Sequence, residues 1–90
     1  MTYSGWTNYA TWNVGLWADN DYSLYHARCA WMKRKSEITG ADVREWVQDN
    51  MGGTTPDLSE HEGHRIQDVN WSEIAEHWED ERRELLEYEA

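Results

Sequence analysis

The amino-acid sequence predicts an all-α fold: a small bundle of about four helices with a Trp/Tyr-rich core. Three observations carry that prediction. Apolar residues recur at steps of three and four in four separate segments. Residues that cap helices or break them stand at the segment boundaries. And aromatic side chains are numerous enough to fill the core: seven Trp and five Tyr equal the Leu, Ile and Val residues together, while Phe is absent. Each buried aromatic removes roughly 150–250 Å² from water, so a few can organise a core that the aliphatics alone could not. Few aliphatics with a net charge of -10 would otherwise read as disorder. At 90 residues the chain is expected to form one helical domain, 1–90.

After an N-terminal arm, MTYSGWT, Thr7 or Asn8 can cap a first helix over about 8–18. Tyr9, Trp12 and Leu16 share one face of it, widened by Val14 and Trp17. Gly15 is a poor helix former and suggests a close neighbour. Asp21 or Ser23 can cap a second helix over about 22–36. Leu24, Ala27 and Trp31 lie on one side, with Tyr25, Cys29 and Met32 beside them, and Lys33, Arg34 and Lys35 close the negative dipole end.

Thr39-Gly40-Ala41-Asp42 reads as a capping box opening a third helix over about 40–51. Its stripe is Val43, Trp46, Val47 and Met51, and Gly52-Gly53 ends it. Pro56 suits a first helical position after a Thr55 cap, and Leu58 can anchor one turn. Residues 59–65 are polar and expected to be exposed, with Ile66 and Val69 returning the chain to the core. Asn70 caps a last helix over about 71–88, and Glu73 completes a capping box. Trp71, Ile74, Ala75, Trp78 and Leu85 face one way. Arg82 falls inside that apolar arc, where its stem can lie on the core edge and its head can reach water or a carboxylate.

Charge is the strongest functional signal. There are 18 acidic and 8 basic residues. Direct nucleic-acid binding is not expected, because phosphate recognition needs Lys and Arg on one face. One acidic line, Glu73, Glu76, Asp80, Glu84 and Glu87, runs along the last helix, and a second, Asp42, Glu45 and Asp49, along the third. These eight are the candidate partner-binding residues. Such lines are most often solvated faces; the functional reading is a partial mimic of nucleic-acid backbone that occupies a basic surface on another protein. One charge per 5–6 Å of helix is sparse beside one per ~1.7 Å of duplex axis, so mimicry needs two helices presenting charge side by side.

The aromatic stretch GWTNYATWNVGLW carries no Lys or Arg. Stacking on bases usually comes with a positive groove, so the stretch reads as core, its indole N–H groups satisfied by Asn8, Asn13 and nearby carbonyls. His61-Glu62-Gly63-His64 is the one metal-like cluster, but a closed zinc site takes four ligands, and no metal or other cofactor is expected. Phosphate loops, nucleophile elbows and zinc-protease motifs are missing from the sequence. Cys29, in an apolar stripe, reads as an inert thiol. The chain is therefore expected not to be an enzyme. A single cysteine excludes an internal disulfide framework. Lacking a signal-peptide pattern or a membrane-length apolar run, the chain is expected to be cytoplasmic, with no membrane partner.

Asn8-Tyr9-x-Thr11-Trp12-x-Val14-x-Leu16-Trp17, followed by Asp19-Asn20-Asp21, resembles the N-terminal signature of a group of small proteins from phages, plasmids and prokaryotes. Asp68-Val69-Asn70-Trp71-x-Glu73-Ile74-Ala75 resembles a second block of that group, which often has Asp at the position of Asn70. Residues 36–65 carry no match. The resemblance implies a mobile-element origin and a helical fold, and no catalytic residue. By analogy with small acidic phage proteins, the expected function is non-enzymatic inhibition of a host nucleic-acid-handling complex, in anti-CRISPR or anti-restriction fashion. The alternative is an acidic helical domain without inhibitory role, acidic because its host is halophilic or because it must stay soluble. An exposed apolar strip would be equally compatible with a homodimer.

Overall fold

The computed structural model describes residues 3–59 and 63–89. It contains four α-helices: α1 (Tyr9–Asn20), α2 (Tyr22–Lys33), α3 (Gly40–Met51) and α4 (Trp71–Glu89). A short 3-10 turn, Ile66–Asp68, precedes α4. No β-strand occurs among the described residues, only isolated bridges between Tyr3 and Trp6 and between Ser59 and His64. The all-α bundle is therefore the fold, and α4 is its spine: it packs against α3 most extensively and against α2 and α1 as well.

Local chemistry sets the boundaries. Asn8 caps α1, its Oδ1 accepting the Thr11 N–H at 2.9 Å. Asp21 serves two helices: its N–H donates to the Trp17 carbonyl at 3.2 Å, and its carboxylate accepts the Leu24 N–H at 3.0 Å. That single residue is the whole α1–α2 connection. The α2 helix ends at Lys33, earlier than position 36, and the chain then extends to Ile38. Thr39 and Asp42 form the expected capping box of α3, and Gly52, in the left-handed conformation, stops it. Asn70 caps α4 through the Glu73 N–H at 3.1 Å. The reciprocal half of that box is not made. Glu73 Oε1 instead accepts the Thr7 N–H at 3.0 Å, while the Asn70 N–H donates to Thr11 Oγ1 at 2.9 Å. Both bonds tie the N-terminal arm and α1 to the start of α4.

The Trp/Tyr clusters that the sequence predicts are present, set around small and aliphatic side chains. The buried members of the core are Ala10, Val14, Ala18, Met32, Ile38, Val43, Val47, Val69, Ile74 and Ala75, with Trp46 and Trp78 the two buried indoles. Those two rings meet edge to face at 5.4 Å, and Trp31 sits 6.2 Å from Trp78. The other indoles are half-buried and cover the margins. On α1 the face turned inward is Ala10, Val14 and Ala18, joined by Thr11, Asn13 and Gly15, while Tyr9, Trp12 and Leu16 are half-buried. Small residues win that face because α1 lies close to its neighbours and an indole would hold it off. On α2 the inward residues are Arg28 and Met32, and Ala27 is exposed. Trp6 lies beside Gly15, where a methyl would sit 3.4 Å from its ring, and it stacks on His77 of α4 at 4.2 Å. The close neighbour that Gly15 suggests is therefore Trp6.

Candidate functional site

The eight anticipated carboxylates separate into two classes. Asp42 and Glu73 are half-buried and hold the fold together. Asp42 accepts the Thr39 N–H at 2.9 Å and Lys35 Nζ at 3.2 Å. The Thr39 N–H, more than the lysine, holds its carboxyl below the usual range. Glu73 anchors the arm through Thr7, as above. The remaining six, Glu45, Asp49, Glu76, Asp80, Glu84 and Glu87, are exposed. None of the six makes a hydrogen bond or ion pair among the described residues, so their charge is offered to solvent or to a partner.

Five of them border three separate depressions. Glu45 and Asp49 border a shallow depression beside Trp31 and Lys35. Glu76 and Asp80 line an open groove of about 620 Å³ with Ile38, Gly40, Ser72 and Arg83. Glu84 lines a third cleft, with Tyr25, Glu81, Leu85 and Tyr88. The third and fourth helices thus present their acids to different depressions.

The cations are largely engaged inside the molecule. Arg28 is fully buried. Its Nη2 donates to Asp19 at 2.6 Å and its Nη1 to Glu81 at 2.8 Å. The guanidinium lies 4.9 Å from the Trp78 ring centroid and 5.4 Å from that of Tyr25, and its buried Nε has no partner among the described residues. Arg82 meets Glu79 at 2.5 Å and the Lys35 carbonyl at 3.4 Å, which is the carboxylate contact its place in the apolar arc suggests. Glu79 also accepts the Ile38 N–H at 2.9 Å. Arg82, ahead of that N–H, keeps its carboxyl below the usual range.

A second polar network hangs on α1. Asp57 Oδ2 accepts Asn13 Nδ2 at 2.9 Å and the Trp17 indole N–H at 2.8 Å. Buried Thr55 donates to Asn13 Oδ1. The Asn13 and Trp17 donors lower the Asp57 carboxyl. One indole of the opening motif is thus satisfied by a distant carboxylate, with Asn13 sharing that acceptor. Sequence spacing gave no sign of Asp57, Arg28 or Asp19, whose partners are many residues away.

His61 lies outside the described residues; His64 rests on the Tyr9 ring at 4.2 Å. No group of three or more His, Cys, Asp or Glu close enough to hold a metal occurs among the described residues. Cys29 is a half-buried free thiol. Among the described residues, no helix is long and apolar enough to cross a membrane. No curated protein and no solved structure matches the chain significantly. The family comparison covers nearly the whole helical unit: residues 1–87 match the model of a family of unknown function, DUF7249, and the chain belongs to that family.

Proposed function

We propose that this chain is a non-enzymatic binding protein whose acidic exterior occludes a basic surface on another protein. The observation that carries the reading is the asymmetry of charge use. Arg28, Lys35, Arg65, Arg82 and Arg83 are committed to internal ion pairs, whereas six carboxylates on α3 and α4 stand exposed and unpaired. A surface of one sign steers partners of the other and sets their rate of encounter. The likeness to small phage and plasmid proteins directs the proposal towards a host nucleic-acid-handling complex, with anti-CRISPR or anti-restriction action as its sharpest form.

The geometry favours a contact along α4 over full duplex mimicry. The α3 and α4 acids border separate depressions, so they do not double each other's charge density. What remains is one carboxylate per 5–6 Å of α4, suited to a strip of Lys and Arg. A pull-down from host lysate at about 50 and about 500 mM salt tests this. Capture of a basic protein should fall steeply at high salt. The D80K/E84K variant should weaken it further while far-ultraviolet circular dichroism stays unchanged. Capture that survives both changes overturns the reading; absence of any basic partner leaves the acidic surface as a solubility device.

A further inference from the structure

The cleft between α2 and the C-terminal half of α4 differs from the depressions at Glu45 and at Glu76 because it joins aromatic walls to a lining without Lys or Arg: the first of those holds Lys35 beside its tryptophans, and the second holds Arg83. Glu81, Glu84, Leu85 and Tyr88 fall at i, i+3, i+4 and i+7 on α4, and Tyr25 closes the cleft from α2. Tyr88 is 92 % exposed and Tyr25 39 % exposed. Among the described residues, no Lys or Arg lines the cleft. Its volume, about 230 Å³, lies under the roughly 300–1,000 Å³ of small-molecule sites and suits one long side chain.

Three physical arguments give that side chain its charge. Behind the wall, Asp19 and Glu81 share the single positive charge of Arg28, which leaves one net negative charge, and unpaired Glu84 adds another. The C-terminus of α4 carries the negative end of the helix dipole, and no basic residue stands in its last turn to offset it. And tyrosine faces attract cations, guanidinium more than ammonium, because a planar guanidinium both stacks and forks onto carboxylates. The molecule already holds an arginine in a related way: Arg28 lies over Tyr25 with Nη1 on Glu81 and Nη2 on Asp19.

From this juxtaposition we propose that the Tyr25–Glu81–Glu84–Tyr88 cleft receives an arginine side chain of a basic partner protein. The proposal rests on the acidic-surface reading above and locates its anchor. A second copy of the chain is a poor occupant, since like charges would meet.

The test titrates the full ¹⁵N-labelled chain with hexa-arginine and with hexalysine at about 20 mM salt, where charges act over ~20–30 Å. Amide shifts should concentrate at Tyr25, Glu81, Glu84, Leu85 and Tyr88, with hexa-arginine bound about threefold or more tighter than hexalysine. Tyr88→Ala should abolish that preference and Tyr88→Phe should retain it; at this exposed position neither change disturbs folding. Glu84→Gln should weaken hexa-arginine more than Glu45→Gln does. Equal affinity for both peptides, with shifts spread over Glu45, Asp49, Glu76 and Asp80, overturns the cleft and leaves the acidic-surface reading standing. Binding of neither peptide removes both. Concentration-dependent dimerisation that Tyr88→Ala abolishes, seen by sedimentation, assigns the cleft to self-association and also overturns the proposal.

Discussion

Arg28 shows how much one residue can organise. Its guanidinium joins α1 through Asp19 and α4 through Glu81, while its plane packs on Trp78 and Tyr25. The side chain is fully buried, but its two carboxylates are 53 % and 38 % exposed. That difference decides what substitution does. Removing the arginine leaves carboxylates that water can still solvate. Replacing it with lysine leaves a buried charge with no fork to span both acids. Arg28→Lys should therefore be the more damaging change, costing about 2–4 kcal/mol, with Arg28→Met losing less because its stem keeps the contacts and buries no charge. Urea unfolding of the two variants checks the order, and a lysine variant more stable than the methionine one overturns the account.

At the scale of elements, what could be read from the chain was what its neighbours in sequence determine. Thr39 and Asp42 stand three apart and cap each other, so α3 began where expected. The apolar stripe of α4 held because its long regular period leaves one solution. The inward face of α1 was not legible, because hydrophobicity ranks Trp12 above Ala10 while close packing of α1 ranks them the other way. Arg28 was hidden for another reason. A charged residue buries only when its partners converge, and Glu81 is 53 residues away. The same split sorts the anticipated site: exposed Asp80 and Glu84 follow from periodicity, but the capture of Glu73 by Thr7 depends on where the arm lands. Helix contacts also separate two glycines. A methyl on Gly40 would lie 3.1 Å from the Ser72 nitrogen and 3.3 Å from the Trp71 carbonyl carbon, backbone atoms that cannot step aside. At Gly15 it would meet the Trp6 ring at an ordinary 3.4 Å. Gly40→Ala should destabilise by about 1–3 kcal/mol through overpacking. Gly15→Ala should be neutral or stabilise by up to ~1 kcal/mol from helix propensity. Thermal unfolding of both variants reads the contrast directly.

For the whole molecule the question is whether its charges stabilise or oppose the folded state. The ion pairs pull it together, and the excess of ten negative charges pushes it apart. Distance decides which of the two salt removes. The molecule measures 46 × 25 × 21 Å, so at about 10 mM salt, with a screening length of ~30 Å, nearly every carboxylate feels the others. At about 1 M the screening length is ~3 Å, comparable with the 2.6 and 2.8 Å contacts of Arg28 but only about half the 5–6 Å rise between acids along a helix face. Salt therefore removes the repulsion and spares the best pairs, which are also buried on the arginine side. The melting temperature should rise between those two salt concentrations. It should rise less in the D80K/E84K variant, because each acid-to-lysine change adds two charges and takes the net from -10 to -6. Circular dichroism melts of both proteins at both salt concentrations make the comparison. A melting temperature that falls with salt would mean that the ion pairs, and not the acidic exterior, dominate the electrostatics of the fold.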